Sequence, residues 1–424
     1  MTPDINYYNN ISKTDYNTLI THNWSFKDET IKYLTLDLIL LSEALVKANK
    51  QIFLDYKIDM LDSLTISSLA NKLFMTKYYD NNIPIINKLS LYNDVKLAYY
   101  GGITEVYKPY GENLYYYDVN SLYPYAALND MPGTICTKEV FYNHLTNLDT
   151  LFGFYYCNVE CSKDKYLGLL PVRTATGIHL PVGNWSGWYF SEELKFARDN
   201  GYKISVIKGY SFNRKKSIFD KYINDIYKIK SAPINAVQRS MAKSLLNNLL
   251  GRFGIKLDKS VSDIVSIDTF NKWATMKKIN NYKQLDNDKV LVTFIDKLDS
   301  DVIKSHNLDI VKLSNVHTDR ESASIDGTSV VISAAVTAYA RIYMSKLKLD
   351  ILSKKGNIYY KDTDSIVCDI KLDNNIVDPN LLGKLKLEHI VKKGIFISGK
   401  TYLLVLNEID KDTKKIKPLK ELMV

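Results

Sequence analysis

The stretch whose reading decides the fold is YYKDTDSIVCD, residues 359–369, in which Asp362 and Asp364 flank a single threonine. Ile358 and Tyr360 precede the pair and Ile366 to Ile370 follow it, so the pattern predicts two strands in a sheet interior joined by a tight turn. Carboxylates this close repel by roughly 4 kcal/mol at about 4 Å in a medium of effective dielectric about 20. Aspartate also favours turns, so a solvated β-turn is the rival reading. In a sheet interior the repulsion is tolerable where a divalent cation neutralises it, and Mg²⁺ is normally held by one or two carboxylates plus substrate phosphates.

A second acid stands far upstream, in YYYDVNSLYPYAALNDMP, residues 115–132. A Tyr-rich strand runs into Asp118, Ser121 has the chemistry of a helix N-cap, and Pro124 falls in the first helical turn. Asp118 either faces a cleft from the strand end or merely starts a turn. If Asp118 and Asp364 come together, supported by Asp362, they make a two-metal site for in-line phosphoryl transfer. A third segment, NAVQRSMAKSLLNNLLGRFG, residues 235–254, repeats Arg239, Lys243 and Asn247 every four positions. These form one ridge of a helix, which Gly251 continues without bulk. Two cations and an amide in line suit a triphosphate; a solvated basic face is the alternative.

In order along the chain, DVNSLYP, KSLLNNLLG and YKDTDS resemble the Dx2SLYP, Kx3NSxYG and YxDTDS motifs of family B DNA polymerases. TAYAR (Thr337 to Arg341) resembles the Tx2AR motif, GKTY carries KxY as Lys400 and Tyr402, and YYGG (Tyr99 to Gly102) resembles the link between exonuclease and polymerase parts. The set is similar to the protein-primed branch, found in small bacteriophages and in linear plasmids of fungal mitochondria. The resemblance implies an α+β, right-hand fold with an antiparallel palm sheet flanked by helices, helical fingers, insertions, a remnant exonuclease region and little thumb. It implies two Mg²⁺ ions, with Mn²⁺ as an alternative, on Asp118, Asp364 and the Val119 carbonyl, with Asp362 as a supporting carboxylate. Tyr123 would lie under the incoming sugar, and Arg239, Lys243, Asn247 and Gly251 would serve the dNTP. Tyr99, Gly101, Gly102, Thr337, Arg341, Lys400 and Tyr402 would contact DNA. Template, primer and dNTPs are the implied partners, with a terminal-protein hydroxyl as a further primer.

The implied division is an exonuclease remnant over 1–98, palm over 99–130 and 331–405, fingers over 231–257 and thumb from 406 to 424. Between them, 131–230 and 258–330 resemble the two terminal-protein-region insertions. The sequence departs from the family at Asn248, where Ser is usual, and Leu250, where Tyr packs on the nascent base pair. Tyr33 and Asp37 in YLTLD resemble the third proofreading motif, and Asn23 to Phe26 faintly the second, but no DxE pair precedes them. The expectation is therefore a polymerase piece cut at both ends, without 3′–5′ proofreading. A nucleic-acid-binding remnant without turnover is the alternative; a metal-dependent nuclease is a third, which the basic ridge argues against.

Composition is compatible with all of this. A net charge of +9 permits a polyanionic partner without requiring one. The four cysteines lack the spacing of a zinc site or disulfide framework, and Cys157 and Cys161 read as strand residues. No apolar run approaches the roughly 20 residues of a membrane helix, so no membrane partner is expected. Abundant Tyr, Lys, Asn and Ile with few Gly and Pro is the skew of AT-rich coding sequence, which suits an organellar, plasmid or viral gene and, with the resemblance, the mitochondrion.

Overall fold

A computed structural model describes residues 4–7, 11–19, 24–86, 89–141, 147–255, 260–298, 305–306 and 328–406. Part of the 258–330 segment, Asn23, and the 407–424 stretch assigned to a thumb lie outside these residues.

Four helices come first: α1 (Lys13–Leu19), α2 (Phe26–Tyr56), α3 (Ile66–Lys77) and α4 (Leu89–Ala98). The apolar spacing of 29–49 predicts α2, whose Ser25 side chain accepts from the Asp28 amide as an N-cap. Its burial is lopsided: only Ile52 and Tyr56 are buried, while Leu34, Leu38 and Leu41 are exposed.

The molecule is organised around a six-stranded antiparallel sheet of order β1-β12-β13-β2-β14-β15. Its strands are β1 (Thr104–Val106), β2 (Tyr110–Val119), β12 (Ile358–Asp362), β13 (Ser365–Cys368), β14 (Leu385–Ser398) and β15 (Thr401–Leu406). The short helix α5 (Leu122–Ala126) follows β2 directly. β12 and β13 are rich in β-branched and aromatic residues, and Ser365 to Cys368 are all buried, as suits strands in the interior of a sheet. β14 was not expected. Lysines and a glutamate on its exposed positions dilute the apolar set, yet Leu385, Val391 and Phe396 are buried.

A second sheet, β3-β8-β4-β7, carries the 131–230 segment: β3 (Met131–Val140), β4 (Gly153–Cys161), β7 (Gly183–Phe190) and β8 (Lys203–Lys215), with the small hairpin β5 (Val172–Thr174) and β6 (Gly177–His179). Helix α6 (Ser191–Asp199) packs beside it. Cys157 and Cys161 sit in β4, buried and free. Next come α7 (Asp220–Ser231) and α8 (Ala236–Phe253), interrupted at Pro233, where a proline cannot continue a helix ladder. The 258–330 segment begins as a three-stranded sheet of β9 (Ser260–Ser266), β10 (Lys277–Gln284) and β11 (Lys289–Leu298) with α9 (Ile267–Ala274). Finally α10 (Val330–Ser353) runs through the centre, buried on nearly every side.

The boundary expected at residue 98 does not coincide with a gap in packing. Phe74 of α3 meets Phe219, Tyr222 and Phe253 at ring-centroid distances of 5.3, 5.6 and 6.0 Å, so α3 shares its core with α7 and α8. Among the described residues no helix is long and apolar enough to cross a membrane.

Candidate active site

Asp118 lies near the end of β2, the strand between β13 and β14. Its Cα faces Ser365 on one side and Lys386 on the other. The Val119 amide donates to the Asp364 carbonyl at 2.9 Å, so the two distant acids meet across one pair of strands. The turn itself is tight. Thr363 has φ 49°, a left-handed conformation uncommon for a β-branched residue. Its amide donates to the Ile103 carbonyl at 3.1 Å, and a Cβ on Gly102 would run into its side chain. Gly102 thus supplies a close backbone approach within the YYGG link, whereas Gly101 faces open space.

The three carboxylates have different surroundings. Burial, then the charge of Asp364, then that of Glu388, push Asp118 up to about 7. Asp364 is also raised, first by burial and then by Asp362. Burial would raise Asp362 too, but hydrogen bonds from Lys400 at 2.8 Å and Thr104 at 2.9 Å outweigh it and hold the carboxyl below its usual value. Among the described residues no neighbouring side chain donates to Asp118 or Asp364. Two half-buried, mutually repelling carboxylates without a side-chain donor among the described residues form a hard-oxygen pair that fits a divalent cation. No cluster of three or more acidic, His or Cys side chains that could hold a metal occurs among the described residues. Asp362 therefore does not complete a triplet with the pair: Lys400 and Thr104 occupy it instead.

Opposite the pair runs α8. Asn235 caps it by accepting from the Gln238 amide at 2.8 Å. Its buried stripe, Ala242, Leu245, Leu246 and Leu249, leaves Arg239, Lys243, Asn247 and Gly251 exposed along one ridge, with open space over Gly251. No carboxylate among the described residues pairs with Arg239 or Lys243, and the charge of Lys243 reaches Asp118. Lys230 of α7, not singled out in the sequence, joins them. Its amine donates to Ser121 Oγ at 2.7 Å and is lowered by burial, then by Lys243 and Arg239. Ser121 is consequently no side-chain cap of α5: at φ 54° and ψ 60° its hydroxyl receives Lys230 instead. Tyr123 is half-buried behind it, its hydroxyl pushed up to about 12 by burial.

A family model described as DNA polymerase type B, organellar and viral, matches residues 2–353. The chain belongs to this family. A probable DNA polymerase of Podospora anserina is 46% identical over 416 residues, which cover 96% of this chain and 34% of that protein. One of Neurospora intermedia is 34% identical, covering 94% of this chain and 41% of that protein. The chain thus spans less than half the length of both relatives. A structure of phi29 DNA polymerase complexed with primer-template DNA and incoming nucleotide substrates matches at a TM-score of 0.63 and 20% identity, over 97% of this chain and 65% of that one. The likeness shows the fold, a mixed architecture of antiparallel sheet and helices. Family B DNA polymerases generally use divalent metal ions.

In this family B chain two motif residues, Thr337 and Arg341, do not stand where the resemblance implied. Arg341, expected on DNA, is buried: its Nε and Nη2 donate to both Glu193 oxygens at 2.7 and 2.8 Å, and Nη1 to the Tyr100 carbonyl at 2.6 Å. Thr337 is buried too, and its hydroxyl donates to the Ala334 carbonyl. A charge removed from water needs a partner, so Arg341 is held by the protein rather than presented to a ligand. Lys400 is exposed but paired with Asp362. Tyr402 packs on Tyr360 at 5.1 Å between ring centroids. The Tyr99 carbonyl accepts from Arg173 at 2.9 Å. Asn248 lies on the α3 side of α8, accepting from Ser67, and Leu250 is buried. Asp37 and Tyr33 are exposed on α2.

Proposed function

We propose that the chain is the catalytic core of a protein-primed DNA-directed DNA polymerase, extending a primer 3′-hydroxyl or a terminal-protein hydroxyl with dNTPs. The observation that carries this reading is the meeting of Asp118, on β2, with Asp364, in the turn that leads into the adjacent β13, opposite α8 cations that have no carboxylate partner among the described residues. Asp118, Asp364 and the Val119 carbonyl would hold two divalent cations, Mg²⁺ or alternatively Mn²⁺, which when bound stabilise charge on the reacting oxygens. Lys243 and Arg239 bind and orient the triphosphate, Asn247 adds an amide, and Gly251 leaves room beside it. Tyr123 bounds the sugar and excludes a ribose 2′-hydroxyl. Tyr402 and Lys400 steady the primer end, and Tyr99 with Gly101 and Gly102 lines the template side. The hydroxyl attacks the α-phosphate and pyrophosphate leaves.

In this reading 99–130 and 331–405 form the palm and 231–257 the fingers. The 131–230 and 258–330 segments are the two insertions, and 1–98 belongs to the exonuclease part. The phi29 complex with primer-template and nucleotide supports DNA and dNTPs as partners. The organellar and viral family, with fungal relatives, supports work on a linear plasmid or organellar element in the mitochondrion.

Primer extension by the purified chain, with Mg²⁺ and dNTPs, tests the proposal. Extension is expected, with loss in Asp118→Asn and in Asp364→Asn, and ribonucleotides are expected to enter in Tyr123→Val. DNA binding without extension by the wild type would replace it with the second reading, a nucleic-acid-binding remnant without turnover.

A further inference from the structure

The buried carboxylate of Glu193 lies 148 positions before its partner Arg341 and belongs to none of the polymerase motifs. It is the third residue of α6, in the segment between the first two motifs, and its side chain is only 2% exposed. Both its oxygens are taken by Arg341. Burial works against the charge of Arg341, but Glu193 more than offsets it and keeps the guanidinium charged. Nη1 of Arg341 donates to the Tyr100 carbonyl at 2.6 Å.

Tyr100 begins a strap, residues 100–104, that reaches the catalytic turn within four residues. Gly102 lies against the Thr363 side chain. The Ile103 carbonyl accepts from the Thr363 amide at 3.1 Å and from Lys361 Nζ at 3.0 Å. Thr104 pairs with Asp362 in the sheet and donates its hydroxyl to that carboxylate at 2.9 Å. Strap and turn are thus joined at three consecutive residues, one position before Asp364. A planar, bidentate guanidinium fixes direction as well as distance, so the anchor at Tyr100 is only as well aimed as Glu193 makes it.

We infer that Glu193 is a positioning residue for the metal-holding pair, acting through Arg341 and the 100–104 strap to fix the Asp362–Ser365 turn. The inference rests on the reading of Asp118 and Asp364 as a cation site. It makes the 131–230 segment part of the catalytic support and not only a surface for partners.

Mn²⁺ binding to the full chain, read from the free-ion electron paramagnetic resonance signal, tests it beside primer extension. Loss of Mn²⁺ binding in Asp364→Asn establishes the site in the wild type; a wild type whose Mn²⁺ binding ignores that change sinks the site reading itself. Glu193→Gln is expected to weaken Mn²⁺ binding about tenfold and to lower kcat while leaving KM for primer-template nearly unchanged. Because Glu193→Gln leaves a buried charge unmatched and can fail to fold, Glu193→Leu with Arg341→Met forms the second variant. An apolar pair of similar volume restores packing without restoring the donor to Tyr100. The double variant is expected to melt near the wild-type temperature yet keep weak Mn²⁺ binding and low kcat. Wild-type metal affinity and kcat in the folded double variant would overturn the inference, since the ion pair would then matter for stability alone.

Discussion

Helices α8 and α10 both carry cations, and they use them in opposite ways. On α10, Arg341 and Lys348 are buried and matched, the first by Glu193 and the second by Glu105 at 3.1 Å with Tyr107 alongside. On α8, Arg239 and Lys243 stand exposed with no carboxylate partner among the described residues. The physics separates the roles. A buried charge costs several kcal/mol of desolvation and persists only if the fold answers it, whereas a solvated charge facing a cleft remains available to an incoming anion. Motif membership alone does not say which of these a lysine or arginine will be.

The largest test of that contrast is stability. Arg341→Ala leaves Glu193 unmatched in the interior and is expected to cost about 3–5 kcal/mol in denaturant unfolding. Lys243→Ala is expected to stay within about 0.5 kcal/mol of wild type. Equal losses in the two variants would erase the distinction. Next in size is activity. Lys243→Ala is expected to lower kcat/KM for dNTP by about 10²–10³ with an unchanged melting temperature, as for loss of a preorganised charge-stabilising donor. Arg239→Ala, further along the ridge, should lose less.

A smaller effect follows from the acid that faces the ridge. The carboxyl of Asp118 sits at about 7, above its value in an unfolded chain, so the folded protein binds the extra proton between about pH 4 and 7. Its contribution to stability is present at the acid end and lost as pH rises through that window. Melting of the metal-free protein should therefore show a downward slope from pH 4 to 7 that Asp118→Asn flattens. Metal binding needs the carboxylate, so Mg²⁺ affinity should fall below about pH 7. Absence of both trends would remove the electrostatic basis of the site. Least of all, Lys400→Ala should change stability by at most about 1 kcal/mol, because the ammonium end of its pair with Asp362 is exposed.

Much of the site was legible because its residues sit inside short runs with their own local logic. The Tyr-rich strand carries Asp118, the Asp-Thr-Asp turn carries Asp364, and a period of four along α8 aligns Arg239 with Gly251. What escaped was whatever depended on distant segments. Glu193 has no neighbour in sequence that hints at Arg341. Lys230 reaches Ser121 only after α7 and α5 both pack on α8, and its hydrogen bond takes the hydroxyl expected to cap α5. Asp362 reads as a supporting carboxylate, and nothing near it in sequence shows that the sheet pairs it with Thr104 and Lys400. β14 was hidden by the charged residues on its open face.

Anomalous scattering from crystals grown with Mn²⁺ would locate the cations directly. Peaks within ligand distance of Asp118 and Asp364, with none on Asp362, are the expected result. Density beside Asp362 alone, or a Mn²⁺-saturated crystal with nothing between the two strands, would contradict it.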